Sequence, residues 1–185
     1  MSTTLEKILG PVTDPSLAHE ISVFFLSQAR ELSIYHTKKE IECEYIWSLN
    51  PGVVAAQIEE AFNHTKKRRT PALYFISFDE YSCESERSIN GALRIVKHRV
   101  PGASYAIIDP IMVSKKRRGI GTRLLQEAEL YMQEHEAITG LTAHAHMKNE
   151  PSRKLFEANN YRTEPSSMPN MISFYKPLEY IPKDL

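Results

Sequence analysis

A basic, glycine-containing run near the middle of the chain has the residue types that bind phosphate groups. It consists of Lys116, Arg117, Arg118, Gly119, Ile120, Gly121 and Thr122. It opens into a segment whose apolar residues recur at helical spacing. The first turn of a helix carries backbone N–H groups without internal partners and about half a positive charge. Glycine leaves that backbone open to a ligand. The run therefore predicts a cradle for phosphate or pyrophosphate.

Two side chains that can exchange a proton lie on the β-type run that precedes the basic turn, and a role in proton transfer is considered for them below with the family resemblance. These are Tyr105 and Asp109, and Asp109 is the only carboxylate between residues 105 and 113. A phenol, with a pKa of about 10, is a weak base at neutral pH unless its surroundings perturb it. The purely structural alternatives are an aromatic ring on a strand face and an acid in a turn or bulge beside Pro110.

Two histidines lie close together later in the chain. His144 and His146 alternate with alanines, so they are expected on one face of a strand. This spacing could suit a metal, but no third or fourth ligand follows at a suitable distance. Solvated or hydrogen-bonded histidines are the alternative interpretation, and we expect no metal site.

Length and charge narrow the classes of function. With 185 residues the chain is long enough for one domain with a substantial core. Basic and acidic residues are equal at 23 each, so the overall charge indicates neither a nucleic-acid nor a membrane partner. The second basic group, at 66–69, follows an apolar-periodic stretch and is typical of the solvated last turn of a helix.

Cysteine content and the N-terminus bear on localisation. Cys43 and Cys83 have no metal-ligand spacing and are too few for a disulfide framework, which favours free thiols in a reducing compartment. The N-terminus lacks the apolar segment of a signal peptide. No apolar run approaches the ~20 residues that span a bilayer. We therefore expect a cytoplasmic protein.

Apolar periodicity predicts a single domain over residues 1–185, with residues 1–14 as an N-terminal arm. Asp14 is expected to cap the first helix, with Pro15 in its first turn. Helices are predicted at 14–34, 53–67, 119–136 and 151–159. Strands are predicted at 72–78, 89–96, 105–113, 141–147, 161–163 and 172–176, and 36–50 alternates only weakly.

Three motifs in this order resemble one known family. Lys116-x-x-Gly119-x-Gly121 is similar to a pyrophosphate signature of Arg or Gln, two residues, Gly, one residue, and Gly or Ala. Asn149 to Tyr161 is similar to a second motif of Asn, a small residue, a Leu-Tyr pair and Gly-Phe. Residues 174–178 are similar to a last strand. Together, over about 70–178, they resemble the GNAT superfamily of acetyl-CoA-dependent N-acetyltransferases.

The resemblance implies an α/β (α+β) fold with a mixed, mostly antiparallel central sheet flanked by helices, and a splay between the two middle strands. It implies acetyl-CoA as co-substrate, with the thioester in the splay. Backbone N–H groups of residues 117–122 would hold the pyrophosphate. The pantetheine arm would meet Ile111, Val113 and Asn149, and its sulfur Phe156, while Ser152 would either cap a helix or contact the arm. The implied binding residues are Ile111, Met112, Val113, Lys116, Arg117, Arg118, Gly119, Ile120, Gly121, Thr122, Asn149, Ser152 and Phe156.

The chain departs from the family pattern at three positions. Lys116 replaces Arg or Gln, which keeps a charge but loses the planar fork. Asn160 replaces Gly after a helix, and Asn is the next best residue for a left-handed cap. Phe156 replaces the frequent Tyr that serves as general acid for the departing thiolate.

The implied reaction is direct transfer of an acetyl group to a primary amine. The backbone N–H of Ile111 or Met112 would stabilise the oxyanion, and Tyr105 or Asp109 would take the proton. The histidine face at 144 and 146 could line the acceptor pocket. The alternative is an acyl-CoA-binding module with weak or no catalysis, because Phe156 lacks a hydroxyl and Tyr105 stands where the resemblance would place a Glu base. We expect a small-molecule or protein amine as acceptor, no nucleic acid and no membrane, and terminal edge strands are compatible with a homodimer.

Overall fold

The structure is a computed structural model that describes residues 8–32, 55–56, 58–60, 72–79, 88–100, 103–114, 116–179 and 181. Both cysteines, the stretch 36–50 and the basic group at 66–69 lie outside the described residues. So does most of the helix predicted at 53–67. Of that helix, residues 55, 56 and 58–60 are described, and they are helical.

Three helices with defined bounds lie close to the predicted positions. Helix α1 spans Ala18–Leu32 and follows a 3₁₀ turn at Pro15–Leu17, whose first residue is capped by Asp14 through a 3.0 Å hydrogen bond from the Ser16 N–H. Helix α2 spans Ile120–His135 and helix α3 spans Glu150–Ala158. None of the described helices is long and apolar enough to cross a membrane.

Seven strands are present in the described part of the chain. They are β1 (Ile8–Leu9), β2 (Ala72–Phe78), β3 (Ile89–Val100), β4 (Ala103–Val113), β5 (Gly140–His146), β6 (Arg162–Glu164) and β7 (Met171–Pro177). The six predicted strands are all found. The seventh strand, β1, lies within the stretch predicted as an arm. Residues 8 and 9 are a strand there because they pair with residues 77 and 76 of β2.

The strands form one sheet in the order β1-β2-β3-β4-β5-β7-β6. Only β4 and β5 pair in parallel among the described strands, and every other pair is antiparallel. This confirms the mixed, mostly antiparallel sheet. The parallel pair follows from the connection through α2, since a parallel crossover needs a helix-length link.

Each face of the sheet carries an apolar core. On one face, α2 buries a stripe at helical spacing that consists of Leu124, Leu125, Ala128 and Met132. On the other face, α1 buries Ile21 and Phe25. Strand β2 is covered on both sides, so all seven of its residues are buried, which explains its continuous apolar run.

The turn after α3 follows the predicted cap. Asn160 has a φ of 65°, and its N–H bonds to the Glu157 carbonyl at 3.1 Å. The next N–H, of Tyr161, bonds to the Phe156 carbonyl at 3.0 Å. Asparagine therefore supplies the left-handed residue for which the family pattern uses glycine.

Candidate active site

The basic run forms an exposed loop at the N-terminus of α2. Gly119 precedes the helix with a φ of 76° and makes no side-chain cap. The loop also contains Arg117 at a φ of 64°. The helix's first backbone hydrogen bond runs from the Arg123 N–H to the Gly119 carbonyl at 3.0 Å. The N–H groups of Ile120 and Thr122 come before this first helical hydrogen bond, so they can donate to a bound anion.

The two glycines of the loop have different roles. A Cβ on Gly119 would meet nothing within 4 Å, so this position needs glycine for its left-handed backbone rather than for space. A Cβ on Gly121 would lie 3.2 Å from Leu155 Cδ2, so Gly121 allows α2 to pack closely on α3. Only the conformation at Gly119 acts directly on the predicted cradle.

The strand before the loop is anchored to β3 just past its end. The Ser114 N–H donates to the Asn90 carbonyl at 2.8 Å, and the Ser114 hydroxyl donates to the same oxygen at 3.2 Å. Asn90 in turn donates from its side chain to Asp79 Oδ1 at 3.0 Å. A Cβ on Gly91 would lie 2.5 Å from Ile120 Cγ2, so glycine there lets α2 begin directly against β3.

A gap opens between the two middle strands just before this loop. The parallel pairing of β4 with β5 ends at Ile108 and Ala143, although β4 continues to Val113 and β5 to His146. Backbone groups alternate in direction along a strand, so about half of those in residues 109–113 point into the gap. These groups lie where the resemblance places the pantetheine arm, beside Ile111, Met112 and Val113.

A β-bulge shapes the β4 side of the gap. Leu93 pairs with Ile111 while Ile95 pairs with Ile108, so Asp109 and Pro110 together lie opposite a single β3 residue, Arg94. The extra residue shifts the alternation of side chains along β4 by one position. As a result Ile108 and Ile111, three residues apart, both pack in the core beneath α2. A bulge beside Pro110 is one of the two structural alternatives, a turn or a bulge, that the sequence offered for Asp109.

Asp109 is held at the bulge by Arg94. Arg94 Nη1 lies 3.5 Å from Asp109 Oδ2 and donates to the Asp109 carbonyl at 3.3 Å. The Asp109 side chain keeps 45% exposure, so it stays accessible to solvent. Burial raises the pKa of the Asp109 carboxyl, and the charges of Arg94 and His144 oppose that rise.

Tyr105 lies away from the gap. Its ring stacks on His98 at 5.6 Å between centroids and 12° between planes, and it pairs with Gly140 at the start of the parallel rungs. Asp109 lies four positions further along the strand, or about 13 Å away. Of the two predicted proton acceptors, the structure brings only Asp109 to the open end.

The two histidines of β5 are hydrogen-bonded, as one of their sequence interpretations predicted. His144 is exposed, and its Nδ1 lies 3.1 Å from the Ser173 hydroxyl. His146 is buried, and its Nδ1 accepts from the Lys148 N–H at 3.1 Å. Among the described residues, no group of three His, Cys, Asp or Glu side chains is arranged for a metal ion.

Asn149 and Ser152 meet at the start of α3. Asn149 is the N-cap, and its Oδ1 accepts from the Ser152 N–H at 3.3 Å. Ser152 is thus the capped residue rather than the cap. This local role explains the spacing of the two residues, since a capping side chain bonds two or three positions onward.

Phe156 lies in the core. Its side chain is 2% exposed, and its ring packs 5.3 Å from Tyr161 and 5.1 Å from Phe174. The ring therefore packs between α3 and β7 in the core.

A sequence model of the acetyltransferase (GNAT) family matches residues 36–161. The chain belongs to this family. The predicted recognition is thereby confirmed, and the protein is an acetyltransferase in the broad sense. Comparison with curated protein sequences gives no match.

Solved structures of GNAT proteins share the fold. The PaiA N-acetyltransferase of Thermoplasma acidophilum, in complex with coenzyme A, is 13% identical with a TM-score of 0.71, over 92% of this chain and 99% of that one. The ribosomal-protein-S5-alanine acetyltransferase of Vibrio fischeri is 18% identical with a TM-score of 0.70, over 96% of each chain. RimL, a ribosomal L7/L12 α-N-protein acetyltransferase in complex with coenzyme A, is 14% identical with a TM-score of 0.66, over 97% of each. At these identities the likeness shows the fold.

Sequence reasoning missed several residues that shape this GNAT site. Arg94 is the one charged residue of the predicted strand 89–96, and that charge was a signal that could have been used. Asn90 and Gly91 anchor the loop, but neither stands out in the sequence. Ser173 becomes relevant only because β7 pairs with β5 in the register that places it opposite His144.

Proposed function

We propose that the protein transfers the acetyl group of acetyl-CoA to a primary amine by direct attack. The observation that carries the proposal is the gap after Ile108 and Ala143, which opens beside an exposed basic loop with a left-handed glycine. An elongated thioester with an anionic end fits such a gap and loop together. The coenzyme A complexes of two proteins with the same fold support this choice of ligand.

In this proposal the pyrophosphate binds the backbone N–H groups of residues 117–122. The exposed side chains of Lys116, Arg117 and Arg118 add positive charge around it. The arm then runs along residues 111–113, whose inward backbone groups pair with its amides. The N–H of Ile111 or Met112 donates to the carbonyl oxygen as it becomes an oxyanion.

The chemistry requires a neutral amine. Its nitrogen attacks the thioester carbon, the C–S bond breaks, and coenzyme A leaves as a thiolate, with the amine proton passing to a base or water. A thiol pKa of about 8.5 makes the thiolate a tolerable leaving group near neutral pH. This matters because Phe156 has no hydroxyl with which to protonate it.

The loop assignment is tested by a matched pair of variants. Asn and Asp both tolerate a positive φ, and a Cβ at position 119 meets nothing within 4 Å. We expect Gly119→Asp to weaken acetyl-CoA binding at least about tenfold more than Gly119→Asn, because only Asp places a negative charge on the pyrophosphate. Calorimetry measures both affinities. Equal acetyl-CoA affinities of the two folded variants would contradict the assignment of this loop to the pyrophosphate.

Turnover separates this proposal from an acyl-CoA-binding module, the candidate that Phe156 favours. Thiol release from acetyl-CoA is measured with spermidine, lysine amide, an alanine-ended tripeptide and kanamycin. Amine-dependent release, with an acetylated product seen by mass spectrometry, supports transfer. Tight coenzyme binding without release on any of these amines supports the binding module.

A further inference from the structure

One row of polar side chains crosses the sheet at the open end of the gap. Strand register places its members side by side from β2 to β6. Tyr74 pairs with Arg94, Arg94 lies opposite the Asp109 bulge, His144 pairs with Ser173, and Ser173 pairs with Glu164. Asp109 and His144 follow directly on the last parallel rung, Ile108–Ala143, so they flank the gap from its two sides.

The members of the row lie on the sheet face opposite α2. Their neighbours along each strand are buried in the core beneath α2, and successive side chains on a strand point to opposite faces. These neighbours are Leu73, Leu93, Ile108, Ala143 and Phe174. An acceptor that approaches the gap from the far face of the sheet therefore meets this row.

Two contacts hold side chains of the row in fixed positions. Arg94 Nη1 lies 3.5 Å from Asp109 Oδ2, so the carboxylate has a fixed cationic neighbour. His144 Nδ1 lies 3.1 Å from the Ser173 hydroxyl. If the Nδ1–H donates to Ser173, Nε2 carries the ring's lone pair. Ser173 can thus hold His144 in the tautomer that a base requires.

We infer that His144 accepts the proton of the attacking amine, with Ser173 and Asp109 as positioning residues. The inference rests on the proposed acetyl transfer to an amine. As the amine nitrogen bonds to the thioester carbon and the C–S bond breaks, its proton passes to His144 Nε2, directly or through one water. The imidazolium then returns that proton to solvent or to the departing thiolate, which restores the neutral ring.

Geometry favours His144 over Asp109 as the acceptor. The Asp109 carboxylate is paired with the Arg94 guanidinium at 3.5 Å, which holds it at the bulge, and it faces His144 across the gap. The same carboxylate stabilises the imidazolium that forms at His144. Imidazole can accept and release a proton near neutral pH, which suits a general base.

The variants His144→Gln and His144→Ala test the role, and His135→Gln on the exposed end of α2 is the control. With the best amine of the panel, we expect His144→Gln to lower kcat about 100-fold or more while acetyl-CoA affinity stays unchanged. His135→Gln should retain wild-type kcat. Added imidazole should restore much of the activity of His144→Ala, which a purely structural role would not allow.

A pH profile gives an independent readout. The ratio of wild-type to His144→Gln kcat/KM cancels the ionisation of the acceptor amine. We expect this ratio to fall towards acid pH, because the wild-type base becomes protonated. Ser173→Ala should shift the midpoint of that fall. Among the described residues, the titratable and charged groups of the same row are Tyr74, Arg94, Asp109 and Glu164, and His146 lies two residues further along β5.

The outcomes separate the two proposals. A folded His144→Gln variant with wild-type kcat, or a ratio that is constant with pH, overturns the role of His144 and leaves acetyl transfer intact. Absence of amine-dependent thiol release in the wild-type protein, despite coenzyme binding, instead overturns the transfer on which the role depends.

Discussion

At the scale of single residues, Asp109 lies where its surroundings disfavour the charged form of a carboxyl group. Burial raises the pKa of Asp109 although Arg94 and His144 oppose the shift. Such a group lowers stability at neutral pH, and groups of this kind are common where a protein needs a charge for chemistry. Its position at the bulge, next to the gap, supports that interpretation of Asp109.

We expect Asp109→Asn to be stabilised relative to wild type at neutral pH. In the folded protein the pKa of Asp109 lies above its ordinary value of 3.8. Below that ordinary value Asp109 costs the fold nothing, because the carboxyl is protonated in both states; as the pH rises through the folded pKa, its ionisation lowers the free energy of unfolding. The gain should therefore shrink at about pH 3. Urea unfolding at both pH values measures it, and Glu127→Gln on the exposed side of α2 controls for net charge. A gain independent of pH would contradict the expectation.

At the scale of elements, the site depends on where α2 begins. Gly91 and Gly121 remove two side chains, so the first turn of α2 packs closely on β3 and on α3. Ser114, bonded to Asn90, fixes the end of β4 just before the loop. The N–H groups of the first turn are thus aimed by neighbouring elements rather than by the loop itself.

We expect Gly91→Ala to lower the free energy of unfolding by about 1–3 kcal/mol and to weaken acetyl-CoA binding. The new Cβ would lie 2.5 Å from Ile120 Cγ2, so α2 would have to shift. Adding Ile120→Ala should recover part of the loss, making the double variant more stable than the sum of the single changes predicts. Urea unfolding and calorimetry measure both effects. Strict additivity would show that this contact does not set the position of α2.

At the scale of the whole molecule, the gap weakens the connection between two parts of the sheet. Strands β4 and β5 share only the four parallel rungs from Tyr105 to Ile108. Helix α2 bridges the parts, since it packs beneath β2 to β4 and its Glu129 bonds to Lys176 of β7 at 2.6 Å. The nearby Tyr161 is buried, and burial together with Glu129 raises its pKa.

We expect Lys176→Met to destabilise the protein by about 1–3 kcal/mol, because it leaves Glu129 buried without its cation. This is less than for a fully buried pair, since Lys176 keeps 23% side-chain exposure. The control is Lys154→Met, which breaks an exposed pair with Glu150 at the same 2.6 Å and should cost at most about 0.5 kcal/mol. Thermal unfolding compares them. Similar losses in both variants would mean that the buried pair does not bridge the sheet.

The sequence by itself determined the three helices and six of the seven strands of the described region, the left-handed turn at Asn160, the loop at the start of α2 and the family. These features are local, because periodicity, capping and glycine act within a few residues. Only the tertiary structure decided that Asp109 and not Tyr105 borders the gap, that Phe156 is buried, and that Arg94, His144 and Ser173 lie in one row. Those relations depend on strand register and on helix–sheet packing, which join residues distant in sequence.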